Sequence, residues 1–132
     1  MDYKQIVITE PVILFRINQA YRNNMSDKSL YDYTRGMWRM KMDRANKAKY
    51  GFAVFDGIIK EVYSVIKWYR AGETLSYRDN KLIERLPNER IRNRIEFIGE
   101  IAEDEIRDKY LNKSVKHFFK QGNSNPVMYM NC

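Results

Sequence analysis

The sequence predicts an α+β fold: a small, strongly bent sheet or β-barrel of about six strands, with three short helices set between them. Three observations carry that prediction. Runs of β-branched and aromatic residues recur at strand length along the chain. The pair Asp56-Gly57 lies between two of them and suits the positive φ angles of a two-residue type I′ hairpin turn. The helical stretches fall irregularly instead of in a βαβ rhythm. With 132 residues the chain fits a single domain over 1–132, and roughly two-thirds of the unfolded surface can be buried without metal or disulfide staples.

Residues 5–18 are two apolar runs split at Glu10-Pro11. Proline has no N–H for a ladder, so the expectation is a strand over about 5–9, a break, and a second strand over about 12–17, with Arg16 turned to solvent or a ligand. A polar connector carrying Tyr21 and Arg22 follows. Ser26 suits an N-cap, Asp27 sits in the first turn, and Leu30, Tyr31 and Tyr33-Thr34 keep helical spacing until Gly36. That predicts a helix over 27–35 whose end delivers Arg35, Trp38 and Arg39 beside the hairpin; 43–47 suits one further helical turn.

The hairpin itself covers 50–68. Ile58-Ile59, Lys60-Glu61 and Val62-Tyr63 change polarity in pairs, which predicts a bulge near Lys60 or a strand covered on both faces. Residues 70–93 lack apolar periodicity and contain Gly72 and Pro87, so a surface loop or insertion is expected there. Residues 94–101 read as a strand, with Gly99 marking a bulge or a close approach. Residues 103–110 carry acids first and cations last, which complements a helix dipole. Ser114 can cap a third helix over 115–121 that buries Val115, Phe118 and Phe119 and stops at Gly122. A turn at 123–126 then leads to a closing strand over 127–130.

Lys and Arg number 24 against 17 acids, a net charge of +7, and much of the excess is clustered between Arg35 and Lys49. An anionic partner, nucleic acid or nucleotide, is therefore expected. The single cysteine is Cys132, which excludes an intrachain disulfide. The sequence begins without the apolar stretch of a signal peptide, and no segment approaches the roughly 18 apolar residues of a membrane span. The expectation is a cytoplasmic protein with no membrane partner.

Enzyme chemistry finds little purchase. His117 stands alone, Cys132 is terminal, and Gly51, Gly57, Gly72 and Gly99 are isolated, so no phosphate loop, cofactor or metal is expected. Asp56, Glu61, Glu96 and Glu100 lie on or beside strands, and Asp56…Lys60-Glu61 resembles the Asp…Glu-x-Lys pattern of metal-dependent nucleases. However, Glu61-Val-Tyr lacks the lysine two residues on, and turn chemistry alone accounts for Asp56.

The binding signal is stronger. Arg16, Asn18, Tyr21 and Arg22 leave the second strand, Thr34, Arg35, Trp38 and Arg39 leave the first helix, and both groups abut the hairpin. Guanidinium groups meet phosphates bidentately and an indole stacks on a base, a mixture suited to an unpaired or extruded base. Trp38 reads equally well as a core residue. Asn123 and Asn125, in Gln121-Gly-Asn-Ser-Asn-Pro126, offer amides to base edges, although Asx-turn structure is their default role.

The order Val-Ile-Leu-Phe-Arg-Ile, polar connector, Thr-Arg-Gly-Met-Trp-Arg, then Tyr-Gly-Phe-Ala-Val-Phe-Asp-Gly resembles the PUA-like superfamily that includes EVE and YTH domains, over 12–68. The resemblance implies a barrel in which Trp38 helps to form the cage for a modified base. Tyr21, Tyr50 and Trp68 compete for the second cage position, and the basic insertion 40–49 lies outside the family pattern. The chain is also similar to small bacterial and phage proteins. The expected function is non-enzymatic binding of nucleic acid through a single-stranded or extruded base, modified or unmodified. The alternatives are sequestration of a small nucleotide signal, as in phage anti-defence, by a homo-oligomer, and a metal-dependent nuclease.

Overall fold

A computed structural model describes residues 6–18, 21–74, 77–78, 81–82, 93–119, 122 and 124–132. The central hairpin forms as its sequence predicts. Strand β3 (Tyr50–Phe55) turns through Asp56 (φ 50°) and Gly57 (φ 75°), the two positive φ angles of a type I′ turn, into the long strand β4 (Ile58–Arg70).

The paired polarity changes have the two causes that the sequence allows. Ala53 pairs with Glu61 and Val54 with Ile59, so Lys60 is the extra residue of a bulge. The hairpin is also covered on both faces. Tyr50, Phe52, Val54, Ile59 and Val62 join one apolar cluster, while Ala53, Tyr63 and Trp68 join the other.

Around this hairpin, β1 (Val12–Arg16), β2 (Trp38–Arg39), β7 (Arg94–Ile101) and β8 (Val127–Met130) complete a six-stranded sheet in the order β2-β7-β4-β3-β1-β8, curled into a half-barrel. Val12, Leu14, Ile13 and Phe15 in β1 are all fully buried, because their alternation feeds both apolar clusters in turn. β1 runs parallel to β3, a pairing that needs the long crossover between them. That crossover holds α1 (Asp27–Arg35) and α2 (Met42–Ala45). Ser26 caps α1, its side chain accepting from the Ser29 N–H at 3.1 Å. The other face carries α3 (Asp104–Tyr110) and a 3₁₀ turn, Lys116–Phe118.

Three expectations are corrected. Residues 6–9 form no strand, and residue 5 lies outside the described residues. The Asn131 side chain donates to the carbonyls of Ile8 (2.8 Å) and Glu10 (3.0 Å), taking the place of a neighbouring ladder. Of the helix expected over 115–121, the described residues 115–119 form only the 3₁₀ turn, because Phe119 is already extended (φ -101°, ψ 113°), while Ser114 and Val115 are tied to the hairpin at Ile58 and Gly57; residues 120 and 121 lie outside the described residues. Residue 70 belongs to β4 instead of a loop, and within the expected insertion β5 (Tyr77–Arg78) pairs with β6 (Lys81–Leu82). The remainder of 70–93 is described only at 71–74 and at Asn93, the residue before β7.

Gly99 is a close-approach glycine. Val65 pairs with Gly99 and Lys67 with Ile98, leaving Ile66 as a second bulge, and a Cβ on Gly99 would stand 2.3 Å from the Ser64 carbonyl oxygen. Backbone cannot swing aside as a lysine tip can. Gly99→Ala is expected to cost about 1–3 kcal/mol, the usual penalty of overpacking. It would be read as a lower denaturant midpoint at unchanged slope; an unmoved midpoint would show that the β4–β7 ladder yields freely.

Candidate functional site

Where β1 ends, the half-barrel opens into a pocket of about 640 Å³. Its walls come from Arg16, Ile17 and Asn18 after β1, from Arg22, and from Tyr33 on α1. They continue through Gly36, Met37 and Trp38 after α1, Arg94 at the start of β7, and Ser124 and Pro126 before β8. The volume falls within the roughly 300–1,000 Å³ range of small-molecule sites.

Trp38 forms the aromatic wall, and its pose is fixed twice. The indole Nε1–H donates to the Thr34 carbonyl at 2.7 Å, and the ring stacks on Phe15 with centroids 5.1 Å apart and planes 27° apart. Half-buried, it lines the pocket while backed by the core. One side of Trp38 thus packs on the core and the other faces the pocket. Thr34 itself is fully buried, its hydroxyl donating to the Leu30 carbonyl at 2.7 Å, and it serves the site through its backbone oxygen.

The arginines separate into two groups. Arg16, Arg22 and Arg94 line the pocket. Arg16 lies over the Phe119 ring at 4.5 Å and donates to the Asn125 carbonyl at 3.4 Å. Arg94 donates through Nη1 to the Met37 carbonyl at 3.1 Å, its Nε is buried without a hydrogen-bond partner, and no carboxylate among the described residues pairs with it. Arg39 is exposed, makes no ion pair with a described residue, and stands directly opposite Arg94 on the β2–β7 ladder. Like charges facing each other across strands are destabilising unless an anion lies between or beside them.

Arg35 belongs elsewhere. It is 2% exposed and held by Asp32, Thr74 and the Phe97 carbonyl, so the guanidinium expected to meet phosphate is instead a buried structural ion.

The other expected residues are also dispersed. Asn18 lines the pocket but commits its side-chain oxygen to the Asp56 N–H at 3.1 Å. Tyr21 stacks on Phe55 at 4.6 Å, away from the lining. Tyr50 lies in the opposite cluster, where burial and the Glu103 carboxylate that its hydroxyl hydrogen-bonds push its phenol up to about 12. Trp68 is sealed against Phe97. Asn125 makes the expected Asx turn, accepting from the Val127 N–H at 3.0 Å, and Asn123 lies outside the described residues.

Sequence reasoning missed Arg94 and Tyr33. Each sits in a run that reads as an ordinary strand start or helix face, and only the β2–β7 pairing, with Trp38 opposite Ile95 and Arg39 opposite Arg94, brings Arg94 beside Trp38.

Two of the four carboxylates considered for metal chemistry, Glu61 and Glu96, are committed to structure. Glu61 accepts from Arg107 at 2.8 and 3.2 Å, and Glu96 accepts from the Gly72 and Thr74 N–H groups at 2.9 Å each. Among the described residues no three His, Cys, Asp or Glu gather as a metal site would require. No helix there is long and apolar enough to cross a membrane. Comparison with family models, with curated proteins and with solved structures gives no match.

Proposed function

We propose that the pocket binds a nucleotide, its base lying on Trp38 and its phosphate held by Arg16, Arg22 and Arg94, and that the protein thereby holds a single-stranded or extruded base of a nucleic acid without cleaving it. The observation that carries this reading is the meeting of a backed indole with Arg39 and Arg94, two cations opposed on neighbouring strands with no acid among the described residues paired to either. An anion tethered to a planar group answers both features at once. The PUA-like resemblance points to the same tryptophan as a base platform. A free nucleotide or cyclic dinucleotide shares this chemistry, and the experiment separates it from a strand.

The test is titration of the protein with a nucleoside monophosphate, a cyclic dinucleotide, and DNA and RNA single strands, followed by fluorescence or calorimetry at fixed salt. Trp38→Ala is expected to weaken binding by about 1–3 kcal/mol, the range for losing one base stack. Arg94→Gln should weaken it for every base and flatten the salt dependence. Equal affinity of wild type and Trp38→Ala for every probe, with unchanged circular dichroism, would overturn the reading.

A further inference from the structure

We propose that the pocket is the mouth of a cationic track, so that the ligand is a single-stranded polynucleotide whose neighbouring phosphates run from Trp38 past Arg39 and Lys41 to Arg44 and Lys47. The inference rests on the pocket reading and extends it from one nucleotide to several. The segment 39–49 holds five cations and one acid, Asp43. Arg39, Lys41, Arg44, Lys47 and Lys49 are all exposed, and none makes an ion pair with a described residue.

Packing fixes their direction. Met40, Met42, Ala45 and Ala48 turn inward onto the Trp38 side of the sheet, which leaves the alternate positions of the segment to solvent. Arg44 is further held over the Tyr129 ring at 3.8 Å.

Register gives the track its course. Trp38 stacks on Phe15, which pairs with Val127; two residues along the same strands, Ile13 pairs with Tyr129, the ring beneath Arg44. Two strand residues are roughly 7 Å, so Arg44 stands about one such step from the Trp38 stack along β1 and β8, where the next phosphate of a strand would lie.

The elements that carry charge are wrong for a duplex. α2 has four residues, a length of roughly 6 Å, too short to occupy a major groove. α3 carries Asp104, Glu105 and Asp108, which repel phosphate. An extended single strand needs no groove-filling helix.

The experiment measures anisotropy with labelled oligothymidylate and oligouridylate of one, two, four and eight nucleotides and with a 16-base-pair duplex, between 50 and 200 mM salt. Affinity is expected to rise from one nucleotide to about four and then level off, a site size at the lower end for single-strand binders. The triple variant Lys41→Gln/Arg44→Gln/Lys47→Gln should bind the octamer about tenfold or more weakly at 50 mM salt. The slope of log affinity against log salt should shrink by about 2, while the mononucleotide is bound as before. Lys41→Gln/Lys47→Gln, which disturbs no ring contact, should move both readouts in the same direction. Trp38-dependent mononucleotide binding without gain in length, or an unchanged slope in both variants, overturns the track and leaves the pocket standing. Mononucleotide binding indifferent to Trp38, or no binding to any probe, overturns both.

Discussion

Arg35→Ala is expected to lower the stability of the fold by about 3–5 kcal/mol, the range for removing one partner of a buried ion pair. Arg35 is sealed in a group with two carboxylates, Asp32 and Glu96, that are 4% and 2% exposed. Its Nε donates to Asp32 at 2.9 Å, and its Nη1 reaches Thr74 at 2.7 Å and the Phe97 carbonyl at 3.3 Å, with Glu96 at 3.9 Å. Removing the guanidinium leaves two anions without their buried cation. Thermal midpoint should fall on the order of 10–20 °C for a chain of this size. Arg35→Met/Asp32→Asn/Glu96→Gln should recover part of the loss, since neutral groups tolerate burial far better than unpaired charges. A loss below about 1 kcal/mol for Arg35→Ala would show that water reaches this network and that it is not the clasp between α1, β7 and residues 72–74.

The same residue explains how far the site could be read from the chain. Adjacent positions on an amphipathic segment look alike in a sequence. Arg35 and Arg39 both belong to a basic run ending a helix, yet Arg35 falls on the buried side of α1 and Arg39 on an exposed edge strand. What decides between them is Glu96, 61 positions away and itself unremarkable in an alternating strand. Local chemistry fares better. The Asp56-Gly57 turn, the Ser26 cap, the Lys60 bulge and the close approach at Gly99 follow from steric and hydrogen-bonding rules acting within a few residues, and all are in the structure. Non-local features were hidden for the complementary reason. The parallel β1–β3 pairing and the arrival of Arg94 at the pocket through β2–β7 depend on pairings between strands far apart in the chain, which no window of sequence encodes.

Phe97→Ala is the companion prediction, because it tests whether the core and the pocket are mechanically one object. Phe97 is fully buried at the centre of an aromatic cluster, 5.8 Å from Phe15, 5.1 Å from Trp68 and 6.5 Å from Tyr63, centroid to centroid. Truncation to alanine removes the ring and leaves a cavity that rigid neighbours fill poorly, so a loss of about 3–5 kcal/mol in chemical denaturation is expected. Phe97→Leu, which retains more of the volume, should cost less. The two variants also differ in reach. Phe15 stands between Phe97 and Trp38, so a cavity at Phe97 lets Phe15 relax and frees the indole from its backing. The remaining hydrogen bond to the Thr34 carbonyl fixes one edge of Trp38 but not its tilt. Under conditions where Phe97→Ala remains folded, nucleotide affinity should therefore fall while the salt slope stays as in wild type, because the arginines have not moved. Were Phe97→Ala to lose stability yet keep full affinity, the indole would owe its pose to Thr34 alone and the stack behind it would be packing without a part in binding.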